Sequence, residues 1–182
     1  KKDYCGKLIY LKLVISMNWT ENYVRAIISE MIDENQLACS ALLKILNIDF
    51  TEKTETLAVT ISQKPLLLIN LEFLKKHCKN EEHIKAVIMH EFLHVLLNHT
   101  EKFKTSSQAL NIALDAVINS IINRLYGQLY SSMFLEYYRE VEGLARILRP
   151  QTKKDFENYD KDFFDMWNKI NRGALAADDI LE

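Results

Sequence analysis

Apolar residues recur at helical spacing in the first part of the chain. Between residues 20 and 36 the apolar side chains fall three or four positions apart: Val24, Ile27, Ile28, Met31 and Ile32. This period predicts an amphipathic helix that has Thr20 as its N-cap. We expect a second, short helix over residues 37–46.

The pattern then changes to the two-residue period of strands. Residues 56–61 alternate between polar and apolar side chains and are rich in β-branched ones, and residues 66–69 form a short apolar run. Residues 62–65 between them are typical of a turn. The two segments therefore predict a β-hairpin, the one hairpin signal in this sequence.

Helical patterns dominate the rest of the chain. A long helix is expected from Asn80, its N-cap, to about Asn98, followed by helices over residues 107–126, 131–149 and 155–172. Pro150 and Gly173 are expected to end the last two. We predict a predominantly helical α+β protein in which residues 1–182 form a single domain. Its core covers about residues 20–126, and a helical C-terminal extension covers about residues 131–182.

Composition narrows the class of protein. The chain has 182 residues and a formal net charge of −2, which argues against binding nucleic acid through overall charge. The apolar stretch at residues 8–17 contains Lys12 and is too short to cross a bilayer. The three cysteines form no CxxC pair, which favours a reducing compartment. We therefore expect a cytoplasmic protein with neither nucleic-acid nor membrane partners.

The candidate chemistry is concentrated in the segment His90-Glu91-Phe92-Leu93-His94. Two histidines four positions apart lie one above the other on a helix, so both rings can reach one cation. Glu91 is placed to act as general base on a water molecule that the metal activates. Apolar residues surround the motif on nearly all sides, which predicts a buried helix. A buried glutamate beside two buried histidines is costly unless something such as a metal ion pairs with them.

A catalytic zinc ion needs a third protein ligand. On a continuous helix His99 would point away from His90, and no glycine interrupts the residues between them, so we expect His99 to lie at the helix end or behind the ligands. The next predicted helix carries a ridge of short polar residues among apolar ones: Asn111, Asp115, Asn119 and Asn123. We interpret Asp115 as the third ligand, and Asn111 and Asn119 as groups that orient a ligand or the substrate. A polar stripe that bonds to neighbouring loops is the alternative.

These segments resemble a known family. Residues 65–74, 86–99 and 110–119 are similar, in that order, to the strand end, the H-E-x-L-H helix with its further histidine and the N-x-A-x-D-x-x-x-N helix of bacterial metallopeptidases associated with von Willebrand factor A-like domains. Leu71 stands where that family usually has proline.

The resemblance implies a zincin-like metallopeptidase domain with a small β-hairpin or sheet beside the active-site helix. It implies one Zn²⁺ per chain on His90, His94 and Asp115, with Glu91 as the catalytic acid and base. It further implies a protein or peptide substrate, and a von Willebrand factor A-like domain or an ATPase as partner.

Three functions are compatible with these residues. The leading interpretation is a zinc-dependent metallopeptidase, in which Tyr126, Tyr130, Tyr137 and Tyr138 are all available to stabilise an oxyanion. The second is a non-catalytic, zinc-stabilised interaction module that docks through aromatic residues of the C-terminal third: Phe134, Tyr138, Phe163, Phe164 and Trp167. The third is a metal-dependent hydrolase of non-peptide substrates, which would need His99 as a ligand.

Overall fold

The computed structural model describes residues 19–99, 107–152, 155 and 161–181. Its elements, in chain order, are α1 (Glu21–Glu34), α2 (Gln36–Leu42), β1 (Asn47–Phe50), β2 (Leu57–Val59), β3 (Leu66–Ile69), α3 (Leu71–His77), α4 (Glu81–Leu96), α5 (Gln108–Tyr126), α6 (Gln128–Tyr137), a 3₁₀ helix (Gly143–Leu148), α7 (Lys161–Asn171) and α8 (Ala177–Leu181). The part of the chain described is thus mainly helical with one small sheet, which confirms the α+β prediction.

Short polar side chains begin most of the helices in the first two thirds of the chain. Thr20 accepts a hydrogen bond from the backbone of α1, and Asn35, Asn70, Asn80 and Ser107 do the same for α2, α3, α4 and α5. Each cap satisfies a backbone N–H that has no partner within its helix. Asn35 is extended, with φ −136° and ψ 114°, and therefore separates α1 from α2.

The sheet has three strands in the order β1-β3-β2. The predicted hairpin is confirmed, because β2 pairs antiparallel with β3 and Ala58 lies opposite Leu68. β1 was not predicted. It pairs parallel with β3 on the other side, with Ile48 opposite Leu67. β2 is consequently an edge strand, and it faces α4.

Two clusters of buried side chains hold these elements together. The larger one is centred on α4, where Ile84, Ile88 and Phe92 are fully buried, and it includes residues of α1, α2, the sheet and α6. The smaller one contains Ala116 of α5, residues of the 3₁₀ helix, and Trp167 of α7. Helix α5 contributes to both clusters, which fixes it firmly against α4.

The predicted helix over residues 131–149 is wrong. Helix α6 ends at Tyr137, and Gly143 has a φ of 65° at the start of the 3₁₀ helix. A positive φ cannot continue a right-handed helix, and glycine is the residue that adopts it at least cost. The break turns the chain back towards α5. Part of the helix predicted over residues 155–172 is observed as α7, which covers Lys161–Asn171. Residues 156–160 of that prediction lie outside the described residues.

Within the described ranges, no helix combines the length and the apolar character needed to cross a membrane. Residues 8–17 and Cys5 lie outside these ranges. The cytoplasmic location therefore stays a prediction.

Candidate metal centre

Three side chains from two packed helices converge on one point. The Nε2 atoms of His90 and His94, one turn apart on α4, lie 3.1 Å from each other. Asp115 on α5 places Oδ1 3.4 Å from Nε2 of His90 and 3.1 Å from Nε2 of His94. Among the described residues, these three form the group of His, Cys, Asp and Glu side chains able to share a metal ion.

The triangle formed by these three atoms has the size that a tetrahedral metal site requires. Ligand atoms at about 2.0–2.1 Å from a tetrahedral zinc ion lie about 3.3–3.4 Å from one another. The sides of the observed triangle are 3.1, 3.1 and 3.4 Å. Two imidazoles and one carboxylate suit zinc, and three protein ligands leave a fourth position for water or substrate.

A hydrogen bond from the next helix fixes the ring of His90. Its Nδ1 lies 2.7 Å from Oδ1 of Asn119, and the side-chain amide of Asn119 donates to the carbonyl oxygen of Leu148 at 2.8 Å. Because the Asn119 amide nitrogen is the donor to Leu148, its oxygen accepts from the ring. With Nδ1 held as the donor, the neutral form of the His90 ring has its Nε2 lone pair directed at the metal position. Asn119 is buried, and it holds the His90 ring from the side opposite to the metal position.

His94 has a corresponding partner in His99. The Nδ1 atoms of the two rings lie 3.1 Å apart, on the side of His94 opposite to the Nε2 atom that faces Asp115. The sequence argument assumed a continuous helix, but α4 ends at Leu96 and Asn98 has a φ of 58°. Asparagine is one of the few residues other than glycine that adopts this left-handed conformation readily. His99 therefore contacts a candidate ligand and not the metal position.

Glu91 follows His90 and borders the same cleft, with 9% of its surface exposed. Burial raises the pKa of Glu91 above its ordinary value, and the nearby His90 and His94 counteract part of this effect. A backbone hydrogen bond from Val59 of β2 also favours the charged form. A carboxylate with a raised pKa holds a proton more readily than an ordinary one, which suits a general base.

Asp115 and His90 stabilise each other's charged forms. Burial alone would lower the pKa of His90, but the hydrogen bond and charge of Asp115 outweigh it and raise this pKa to about 9. Burial would likewise raise the pKa of Asp115, whereas hydrogen bonds from His90 and His94 hold it below its ordinary range. The carboxylate is therefore ionised at neutral pH, as a metal ligand must be.

The three donors and Glu91 open into a cleft of about 400 Å³ between β2, α4, α5 and α6. Asn111 is exposed and lines the cleft on α5, one turn before Asp115. Of the four candidate tyrosines, Tyr137 and Tyr138 line this cleft. Tyr126 and Tyr130 stack on each other away from it, with ring centroids 4.5 Å apart.

Tyr138 is the tyrosine with electrostatic contact to the candidate centre. Burial raises the pKa of its phenol, and the negative charges of Asp115 and Glu91 add to this effect. The hydroxyl therefore keeps its proton at neutral pH and remains a hydrogen-bond donor inside the cleft.

The aromatic docking surface of the second interpretation is not formed as expected. Phe134 and Trp167 are 4% and 0% exposed and belong to the two hydrophobic clusters. Phe163 and Tyr138 are partly buried against the smaller cluster. Phe134 and Trp167 therefore stabilise the fold and are not available for docking, whereas Phe164, like Phe163 and Tyr138, is half-buried.

Two contributors to the site were missed at the sequence level because they act through the backbone. The carbonyl oxygen of Leu148 holds Asn119, and the backbone of Val59 contacts Glu91. Every residue has the same backbone N–H and carbonyl groups (proline aside), so residue types do not show which of these groups will contact the site. The one signal for Val59 in the sequence was its place in the predicted hairpin, which was expected to lie beside the helix that carries the H-E-x-x-H motif.

No protein-family model matches the chain, and comparisons with curated proteins and with solved structures found no significant match. The similarity to metallopeptidases associated with von Willebrand factor A-like domains therefore rests on the motifs themselves.

Proposed function

We propose that the protein is a zinc-dependent metallopeptidase with a zincin-like catalytic domain. The observation that carries this proposal is the convergence of His90, His94 and Asp115 within 3.1–3.4 Å of one another, with Glu91 bordering the same cleft. A site used only to stabilise a fold is normally closed by four protein ligands. Here three donors face a cleft that a substrate can enter.

His90, His94 and Asp115 would hold the zinc ion. Bound there, zinc supplies two functions, the acidification of a water molecule and the polarisation of a carbonyl group. Asn119 and His99 keep the two imidazoles in the orientation that this role requires.

Glu91 is the proposed general base and acid. Its carboxylate takes a proton from the attacking water, and the same proton then passes to the nitrogen of the departing amine. Burial raises the pKa of Glu91, which strengthens this carboxylate as the base in the first transfer.

An extended peptide fits the edge of the sheet beside the cleft. The backbone N–H of Thr60 donates to Leu66, and the carbonyl of Thr56 accepts from Asn70, so these residues of the β2 segment bond to the β3 side. By the alternation of an antiparallel ladder, the backbone groups of Leu57 and Val59 point away from β3. The backbone N–H of Val59 bonds to Glu91 on that side, so Leu57 is the residue of this edge that offers backbone groups to a substrate. A substrate in strand conformation can pair with such an edge, which favours a protein or peptide substrate.

Tyr138 is the proposed donor to the oxygen on which negative charge develops. It lines the cleft, lies within electrostatic reach of Asp115 and Glu91, and keeps its proton at neutral pH. Removing one such donor typically lowers kcat by about 100-fold or more.

The non-peptide hydrolase with three histidines is less favoured, since His99 contacts Nδ1 of His94 on the side away from Asp115. A von Willebrand factor A-like or ATPase partner stays a prediction.

Peptide cleavage by the zinc-loaded chain tests the proposal. A mixture of unrelated peptides is incubated with wild type and with Glu91→Gln, the products are identified by mass spectrometry, and the zinc content of both proteins is measured. We expect cleavage by wild type and its loss in Glu91→Gln with zinc retained. Glu55→Gln, at an exposed carboxylate before β2, serves as control. Equal cleavage by Glu91→Gln, or none by zinc-loaded wild type, would contradict the proposal.

A further inference from the structure

The cleft differs in character between its two ends along α4. Val87 lies three residues before His90, one helical turn towards the start of α4, and lines the cleft on the same face. Beyond His94 the lining includes the polar side chains of His99 and Asn111. The end of the cleft near Val87 is therefore the more apolar one, and the three candidate ligands lie between the two ends.

Three helices build the apolar end. We call it the apolar pocket, and it is formed by Phe73 of α3, Val87 of α4, and Met133, Phe134 and Tyr137 of α6. Phe73 and Val87 are each 8% exposed, and Met133 and Phe134 are 1% and 4% exposed. Their immobilisation in the core gives this pocket a fixed shape.

The apolar pocket lies directly beside the candidate metal centre. The ring centroid of Phe134 is 6.0 Å from that of His90. Further out, Phe73 and Tyr137 meet edge to face, with centroids 5.5 Å apart, and Tyr137 is 38% exposed at the rim. A group seated there is within reach of a peptide bond held at the metal position, and it belongs to a residue that flanks that bond.

The chemistry of the walls selects what can enter. The phenol of Tyr137 is the polar group that these five side chains offer, and it lies at the rim. A charged side chain would lose its hydration in the pocket without gaining an ionic partner from these five side chains, whereas an apolar one gains free energy in proportion to the surface that it buries. The aromatic walls also favour edge-to-face packing with a ligand ring.

We propose that the apolar pocket is the main specificity site of the enzyme, and that it takes a large apolar or aromatic side chain of the residue next to the hydrolysed bond. This inference rests on the proposed peptidase function. It adds a substrate class, namely extended peptides with a bulky apolar residue at the cleavage point.

Binding of small zinc-directed probes tests the inference without requiring hydrolysis. The hydroxamates of alanine, leucine, phenylalanine and aspartate share one metal-binding group and differ in the side chain. Their affinities for the zinc-loaded chain are measured by calorimetry. We expect the phenylalanine and leucine compounds to bind at least about tenfold more tightly than the alanine compound, and the aspartate compound to bind no more tightly than alanine.

Two variants link the selectivity to the pocket. Tyr137→Ala, at the exposed rim, should lower the phenylalanine-to-alanine affinity ratio several-fold and leave the zinc content unchanged. Met133→Ala should favour still larger side chains, provided that circular dichroism shows the variant to be folded. Ile61→Ala is the matched control, because Ile61 is an apolar residue that lines the cleft from the opposite, β2 side. It should leave the ratio unchanged.

The outcomes separate this inference from the proposed function. If all four hydroxamates bind with equal affinity, or if Ile61→Ala changes the ratio as much as Tyr137→Ala, the apolar pocket is not the specificity site, although the zinc site stands. If no hydroxamate binds the zinc-treated chain, the metal site itself is wrong and the inference falls with it.

Discussion

The imidazoles of His94 and His99 are in contact, with their Nδ1 atoms 3.1 Å apart, because α4 ends between them. The left-handed backbone of Asn98, with a φ of 58°, returns the chain towards the helix that it has just left. His99 thereby holds the ring of a candidate ligand from behind, and the opposite nitrogen of His94 faces Asp115.

Replacement of His99 by alanine should weaken zinc binding without abolishing it. Loss of a partner that orients a ligand typically costs about 10–100-fold in metal affinity. Competition with a chromophoric chelator measures the change, and elemental analysis at saturating zinc should still give one ion per chain. Absence of bound zinc at saturation would make His99 a ligand and revive the three-histidine hydrolase.

Asn98 offers a test of the turn itself. Asn98→Gly keeps a residue that tolerates positive φ and should preserve zinc affinity, whereas Asn98→Val places a β-branched residue in a conformation that strains it. We expect Asn98→Val to weaken zinc binding in the same direction as His99→Ala. Equal affinities in the two Asn98 variants would show that the turn does not position His99.

Asn119→Ala should reduce both stability and zinc affinity. The variant removes the acceptor for Nδ1 of His90 and leaves the carbonyl of Leu148 without this partner. We expect a loss of about 1–3 kcal/mol in the free energy of unfolding, measured by urea denaturation, and a fall of about 10–100-fold in zinc affinity. Asn123→Ala, one turn further along the same ridge, is the control and should change stability by less than about 0.5 kcal/mol. A similar effect of both substitutions would argue against a special role for Asn119.

Zinc binding should release about one proton at neutral pH. The pKa of His90 is raised to about 9 by Asp115, so below that pH the ring carries a proton that must leave before Nε2 can bind a metal. Affinity should therefore rise with pH, by about tenfold per unit between pH 7 and 8, and level off above about 9. Calorimetry in buffers of different ionisation enthalpy counts the protons directly. A count of zero at pH 7 would show that His90 is already neutral.

The buried ion pair between Arg149 and Asp155 should stabilise the C-terminal part of the fold. Two hydrogen bonds of 2.8 Å join the guanidinium to the carboxylate, and Trp167 donates to the carbonyl of Arg149. Asp155→Asn would leave Arg149 buried without its counter-charge, which typically costs about 3–5 kcal/mol. Denaturant unfolding measures this loss, and Asp165→Asn, at an exposed residue of α7, is the control.

The same pair predicts a pH dependence. Burial alone would raise the pKa of Asp155, but its hydrogen bonds with Arg149 and Thr152 hold that pKa below the ordinary value. A carboxyl whose pKa is lower in the folded chain stabilises the fold fully at neutral pH, and this contribution is lost as the pH falls below about 4. Asp155→Asn should therefore lose less stability than wild type on acidification. Parallel acid unfolding curves would contradict this assignment.

The sequence was most informative where function requires particular residue types at fixed helical spacing. The four-residue separation of His90 and His94 and the polar ridge around Asp115 placed three donors on helix faces that the structure brings together. The caps at Thr20 and Asn80 and the alternation before Pro65 likewise predicted local structure, because caps and hairpins depend on neighbouring residues.

Features that depend on distant parts of the chain were not predictable in this way. β1 has four residues and is a strand because it pairs with β3, whose partner residues lie 19 positions further along the chain. Gly143 is visible in the sequence, but it lies inside the helix that was predicted over residues 131–149. The bond from Asn119 to Leu148 depends on the turn that Gly143 makes, so it could not be foreseen once that turn was missed.

Metal content is the most direct test of the account, since every proposed step depends on the three converging side chains. The full chain is purified without a histidine tag, incubated with zinc, desalted and assayed by elemental analysis, in parallel with Asp115→Ala and with Asp33→Ala, a control at an exposed residue of α1. We predict about one zinc ion per chain in wild type and in Asp33→Ala, and loss or strong weakening in Asp115→Ala. Zinc-free wild type, or full retention in Asp115→Ala, would contradict the site described here.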